Sequence, residues 1–289
     1  MSEDFPMMYN RKRKGYVSPA VIAGIISLII AALLLLFHDS LVFTIPLAVF
    51  IILCVVAPFF PTRGFFLRVV SRGSTGKNFV SLTFDDGPDP ETTRPLLKLL
   101  DRSSIKATFF VTGERAVFYG DLISEILVHG HDIGNHSYHH DPFLMLRSKK
   151  TLFREIESTH TTLTRFHISP AAFRPPVGIT NPRLDNVLKQ LGLYCVTFTC
   201  RAFDAGNRNV RGLSGRILNK VKPDDIILLH DIRPGRDITT EDFLREVESI
   251  LTGLKRMGLQ VVPLRELIGK PVMLRIRDDE PQITGNEEQ

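Results

Sequence analysis

Thr83-Phe84-Asp85-Asp86-Gly87-Pro88 closes the run Phe79-Val80-Ser81-Leu82-Thr83-Phe84, and the reading of this stretch decides the fold. Alternation and a β-rich composition make the run a buried strand. Gly87 permits a turn and Pro88 stops the ladder. Neighbouring strand residues face opposite sides, but where the backbone turns, Asp85 and Asp86 can both reach one mouth. Two carboxylates that close repel, and one pKa must rise unless a cation sits between them. The pair asks for a metal. The competing reading is a solvated Asp-Asp-Gly-Pro turn, built of common turn residues.

Downstream, apolar strands alternate with amphipathic segments. Strands are expected over 106–112, 132–136, 171–174, 193–199, 225–230 and 259–264. Helices are expected over 95–100, 121–129, 148–166, 182–191, 213–221 and 241–257, with a closing helical turn over 265–269. Such βα alternation implies a parallel sheet, open or closed into a barrel. In a barrel, function gathers at the carboxyl ends of the strands. Asp85, Asp86, His136, Arg174, Asp204 and His230 all end or follow an expected strand.

Residues 129–140 hold five of the nine histidines: His129, His131, His136, His139 and His140. Imidazole suits zinc and similar divalent ions. His136 and His140, four apart, face the same way over one helical turn, and with Asp86 they make a His-His-Asp set with open positions. On the same helical geometry His139 points elsewhere, and His129 and His131 flank a turn glycine. The alternative is a group of surface or core histidines on a turn.

These motifs resemble those of the NodB-type polysaccharide deacetylases, carbohydrate esterase family four. The first motif is matched by residues 83–88 and the second by His136-Ser137-Tyr138-His139-His140. The third is similar to Arg174-Pro175-Pro176-Val177-Gly178 and the fifth to Leu228-Leu229-His230. The resemblance runs from about Asn78 to Gly269. It implies a distorted (β/α)7 barrel and metal-dependent removal of N-acetyl groups from amino sugars. It also implies the roles: Asp86, His136 and His140 on the metal, Asp85 as general base, Arg174 pairing with Asp85, His230 as general acid, and the Val177 N–H as oxyanion donor. The implied metal is Zn2+, and the donor set also admits Co2+, Mn2+ or Ni2+. Two departures stand out. Val177 replaces a common aromatic, and the fourth motif lacks its usual Trp, so Cys200-Arg201-Ala202-Phe203-Asp204 fills that region. Asp204 is the candidate to orient His230, and Asp231 reads as equally able to be structural.

Val17 to Phe37 and Leu41 to Phe60 are uncharged apolar runs, each long enough to span a bilayer. His38-Asp39-Ser40 between them favours two helices and a turn over one helix with buried polar groups. Both the length and the second run argue against a cleavable signal peptide. Arg11, Lys12, Arg13 and Lys14 precede the hairpin, while Arg63, Arg68, Arg72 and Lys77 follow it. The positive-inside rule then puts the catalytic domain at the cytoplasmic face of an inner membrane. The expected division is a basic N-terminus and hairpin to residue 62, a basic linker over 63–77, the catalytic domain over 78–270 and a polar, disordered tail over 271–289. Gly73-Ser74-Thr75-Gly76-Lys77 lacks the residues of a phosphate-binding loop and belongs to the linker.

Net charge is +5 and not gathered in a stripe with interleaved aromatics, so nucleic acid is excluded as a partner. Cys54, Cys195 and Cys200 show neither disulfide nor zinc spacing. Three functions stay open. One is a membrane deacetylase acting on a lipid-linked or precursor N-acetylated amino sugar, favoured by the hairpin and the scarcity of groove aromatics. Another is an extracytoplasmic deacetylase of peptidoglycan or an exported polysaccharide. The third is an inactive metal-binding membrane adaptor, which the intact motifs disfavour. Acetyl and formyl groups are both admissible as the group removed.

Overall fold

The computed structural model of the chain describes residues 16–37 and 41–276. Branched and aliphatic side chains with no interior charge give two helices, α1 (Pro19–Phe37) and α2 (Thr44–Val56), the second flanked by short 3-10 turns. The spans 19–37 and 41–59 are each long and apolar enough to cross a membrane. Their side chains face outward, as with Leu36 at 76% and Leu41 at 77% exposed. The helices pack on each other where Gly24 meets Phe50; a Cβ on Gly24 would lie 3.1 Å from Phe50 Cζ. The turn at 38–40 and the basic run at 11–14, on which the hairpin and orientation readings partly rest, lie outside the described residues.

The globular domain follows in βα order. Its first half comprises β1 (Val69–Val70), β2 (Phe79–Asp85), α3 (Thr93–Arg102), β3 (Thr108–Val111), α4 (Gly113–Phe118), α5 (Gly120–Val128), β4 (Asp132–Asn135) and α6 (Lys149–Thr164). Then come β5 (Ile168–Pro170), β6 (Ala172–Phe173), α7 (Pro182–Gln190), β7 (Tyr194–Val196), β8 (Cys200–Arg201) and α8 (Leu213–Leu218). The chain closes with β9 (Ile226–His230), α9 (Thr240–Arg256), β10 (Gln260–Val261), α10 (Leu264–Ile268) and β11 (Met273–Arg275). Helix starts carry their chemistry: the Asn181 side chain caps Leu184 N, and Thr239 with Asp242 forms a capping box on α9.

The strands β1-β7-β6-β4-β3-β2-β9-β8 form one parallel sheet, and β10 pairs with the first two residues of β2. The sheet curls into a half-barrel, in line with the distorted barrel that the family resemblance implies. Its two edges approach each other at an antiparallel bridge between Arg72 and Asp225, backed by their ion pair at 2.5 Å. Val80, Leu82 and Phe84 on one face of β2 join the core cluster beneath α3, α5, α8 and α9. Ser81, Thr83 and Asp85 line the other, interior face. Cys195 and Cys200 are buried single thiols on separate strands.

Two boundaries differ from the sequence reading. Residues 63–77 are not a free linker: Phe66 and Leu67 are buried and β1 pairs with β7, Val69 opposite Cys195. The glycine-rich turn is held by Asp224, which accepts from Thr75 N (3.0 Å) and Gly76 N (3.1 Å). The proposed tail also begins too early, because Met273–Arg275 pairs antiparallel with β5. Val272 is 1% exposed there, and its carbonyl accepts from Ala171 N and Ala172 N. Apolar Val272 and Met273 find a core that a polar composition average hides; the remainder, 277–289, lies outside the described residues.

Gly134 sits mid-strand because the Phe110 ring occupies its side-chain space; a Cβ there would lie 2.5 Å from Phe110 Cδ1. Gly134→Ala is therefore expected to destabilise the detergent-solubilised chain by about 1–3 kcal/mol through overpacking. An unchanged unfolding midpoint in denaturant would contradict this account of the core.

Candidate active site

The carboxyl end of β2 presents Asp85, 4% exposed, to the barrel interior. Asp86 would face the opposite side of a continuing strand. Instead its backbone adopts φ 71°, which turns its carboxylate to the same mouth. Gly87 is required beside it, since a Cβ would lie 2.7 Å from Asp231 Oδ2.

His136 follows β4 and is almost completely buried. Residues 136–140 are not helical, in contrast to the spacing argument. Left-handed backbone at Ser137 (φ 63°) and His140 (φ 54°) folds the segment into a tight turn that brings the two rings to 4.9 Å. Asp86 Oδ1 lies 3.2 Å from His136 Nε2 and 3.1 Å from His140 Nε2. His136 Nδ1 donates to the Arg174 carbonyl at 2.7 Å, so in the neutral ring Nε2 turns a lone pair to Asp86. Asp86 Oδ1 is buried yet has no hydrogen-bond partner among the described residues. One ligand atom from each of Asp86, His136 and His140 lies within 4.8 Å of the others. A shared cation would resolve this convergence, and the donor set fits a divalent metal.

Arg174 leaves β6 and crosses the interior with no exposure at all. Its Nη1 donates to Asp85 Oδ1 (2.6 Å) and Thr83 Oγ1 (2.7 Å), its Nη2 to the Thr197 carbonyl (3.2 Å). Its guanidinium lies 4.0 Å from the Phe110 ring centroid. Pro175 and Pro176 lead to Val177, which has φ 52° and is 48% exposed. A left-handed conformation is unusual for a β-branched residue, and the Val177 N–H makes no hydrogen bond among the described residues.

His230, opposite Asp85 in the β2–β9 register, pairs through Nδ1 with Asp204 Oδ2 at 2.8 Å. Asn207 Nδ2 donates to the His230 and Ile232 carbonyls, fixing the loop that carries Asp204. Burial alone would lower the His230 pKa. The bond and charge of Asp204, with Asp86 and Asp85 beyond, raise it to about 9. The imidazole is thus held as an acid near neutrality.

The structure therefore gathers Asp85, Asp86, His136, His140, Arg174, Asp204 and His230 around one end of the sheet, with Val177 at the turn after Arg174. The remaining histidines stay apart. His139 binds Glu155, His129 pairs with Asp101, and buried His131 accepts from Ala107 N. One residue left ambiguous by sequence is now placed: Asp231 is fully buried and accepts from the hydroxyls of Thr92 (2.7 Å) and Thr93 (2.6 Å). Its N–H donates to the Asp85 carbonyl (2.8 Å), so it backs the Asp85–Gly87 turn. Phe203, exposed beside Asp204, lies between Arg201 (4.0 Å) and Lys220 (5.2 Å). It is the aromatic that the fourth-motif region does possess.

Residues 72–196 match the polysaccharide deacetylase family. A peptidoglycan-N-acetylglucosamine deacetylase of Bacillus cereus is 31% identical over 66% of this chain and 89% of its own length. The chain belongs to the polysaccharide deacetylase family. Another family member, the peptidoglycan-N-acetylglucosamine deacetylase PgdA of Listeria monocytogenes, is 31% identical over 71% of this chain. The match spans 42% of that relative's length. A solved peptidoglycan N-acetylglucosamine deacetylase shares 29% identity and a TM-score of 0.63, covering 71% of this chain and 94% of its own. The family match begins at Arg72, inside the segment that composition assigns to a linker.

Asp204→Asn keeps the shape beside His230 but removes the charge that raises its pKa, leaving burial to lower it. The alkaline limb of kcat on a soluble N-acetylchitooligosaccharide is expected to move to lower pH. A limb that stays in place would assign that titration to another group.

Proposed function

We propose that the chain is a membrane-anchored, metal-dependent hydrolase that removes the N-acetyl group from an amino sugar. The observation that carries this reading is the convergence of Asp86, His136 and His140 between two separate pairs, Asp85–Arg174 and His230–Asp204. Asp86, His136 and His140 would hold the metal, Zn2+ by preference of the donors, with Co2+, Mn2+ or Ni2+ as substitutes. A divalent ion there supplies Lewis acidity toward the amide carbonyl and toward water.

The protein's own residues supply the rest. Asp85, aimed by Arg174, takes a proton from the attacking water as the water's oxygen bonds to the amide carbon. The Val177 N–H donates to the oxygen that gains charge. His230, held protonated by Asp204, gives its proton to the nitrogen as the carbon–nitrogen bond breaks. Acetate and a free amine result.

The finer substrate reading is a lipid-linked or precursor glycan at the cytoplasmic face. It is supported by the apolar hairpin and by the arginines and lysines on both of its flanks. A second reading, peptidoglycan outside the cytoplasm, is favoured by the names of the relatives above. Protease added to intact cells separates them: a protected catalytic domain supports the first, and cleavage from outside supports the second.

Asp85→Asn is expected to retain bound metal while losing on the order of 100-fold or more in turnover. His136→Ala should lose both metal and turnover. Chelation should abolish acetate release and added Zn2+ should restore it; full activity in metal-free protein would overturn the mechanism.

A further inference from the structure

The hairpin returns the chain to the catalytic domain without a free spacer. Ala20 N–H donates to the Phe65 carbonyl (3.0 Å), and the Thr197 hydroxyl donates to the Pro61 carbonyl (3.0 Å). Gly178, the residue after Val177, lies so close to Pro61 that a Cβ would sit 3.4 Å from the proline Cβ. Phe66 and Leu67 sink into a core cluster with Leu144 and Met145, and Ala20, Cys54 and Ala57 of the hairpin pack against the same cluster. The hairpin is seated beside the mouth of the site.

Leu144 and Met145 are the buried half of the loop that runs from His140 into α6. The other half faces out. Phe143 is 62% exposed and Leu146 is 77% exposed, followed by exposed Lys149 and Lys150. Those lysines, with Arg63 and Arg68 at the hairpin exit, pair with no carboxylate among the described residues. On the α3–α5 side Arg94 pairs with Asp121 and Glu125 and Lys106 with Asp101, while Lys98 and Arg102 pair with no carboxylate among the described residues. What sets the 141–150 loop apart is its apolar tips beside the cations. Large apolar tips beside unpaired lysines suit the boundary between headgroups and acyl chains, where cations meet anionic lipid.

On the reading that α1 and α2 span a bilayer, we propose that loop 141–150 is a second membrane contact, with Phe143 and Leu146 entering the leaflet surface from which the hairpin emerges. The occupant is that bilayer, because the loop is continuous with the hairpin's own packing. The loop begins next to His140 and the hairpin ends next to Gly178, so the mouth between them is held against the headgroup layer. The amino sugar it receives is then the headgroup of an amphiphile in that leaflet.

The chain contains no tryptophan, so single-Trp variants of the full chain report one position each. Phe143→Trp and Leu146→Trp are reconstituted in vesicles of phosphatidylcholine and phosphatidylglycerol with brominated acyl chains. Ile29→Trp in α1 reports the hairpin, and Val128→Trp, 84% exposed on α5, reports the solvated surface. Quenching at 143 and 146 at least half as strong as at 29, with none at 128, is the expected result. Quenching at 29 without quenching at 143 and 146 overturns the loop contact and leaves the hairpin reading intact. No quenching at 29 overturns the membrane reading and this inference with it. Equal quenching at 128 and 146 overturns a specific contact.

Discussion

The buried ion pair of Arg174 with Asp85 is the constraint around which the catalytic end is built. Removing a guanidinium wholly from water costs several kcal/mol, which only close geometry and satisfied donors can offset. Here Asp85, Thr83, the Thr197 carbonyl and the Phe110 ring share that task. Loss of either charge would strand the other, at a cost of about 3–5 kcal/mol. The pair therefore fixes the distance from β6 to β2 across the curled sheet. The carbonyl of Arg174 also bonds His136 Nδ1, so one residue orients both Asp85 and His136.

β2 and β9 lie side by side and end alike. Asp85 and His230 are register partners, and each is followed by an aspartate in different surroundings. Asp86 is swung into the mouth by a left-handed backbone, whereas Asp231 stays behind the turn under two threonine hydroxyls. Burial pushes the Asp231 carboxyl up to about 7 despite those bonds. Two aspartates, each one step past the end of its strand, thus meet opposite environments, and the difference lies in what surrounds them rather than in residue type.

What could be read from sequence follows from the range of the interactions involved. β2, β9 and α9 carry their period and boundary residues locally, and the polar motifs at strand ends gave nearly the whole candidate site. Strands of two or three residues, such as β1, β8 and β11, have no period to detect and exist only because a partner strand is present. His136 and His140 lie together, but positive φ angles rather than a helical turn bring them there. Asp204 and His230 meet across 26 residues, so sequence could nominate that pair but not orient it. The role of Asp231 was hidden because its partners, Thr92 and Thr93, precede it by more than a hundred residues.

The unpaired cysteines carry one further consequence. Cys195 and Cys200 are enclosed thiols whose pKa burial pushes up to about 12, so they stay protonated and resist oxidation or metal capture. With no disulfide at either of these thiols, this domain asks nothing of the redox state around it while folding. The same fold is chemically equipped for a reducing or an oxidising compartment.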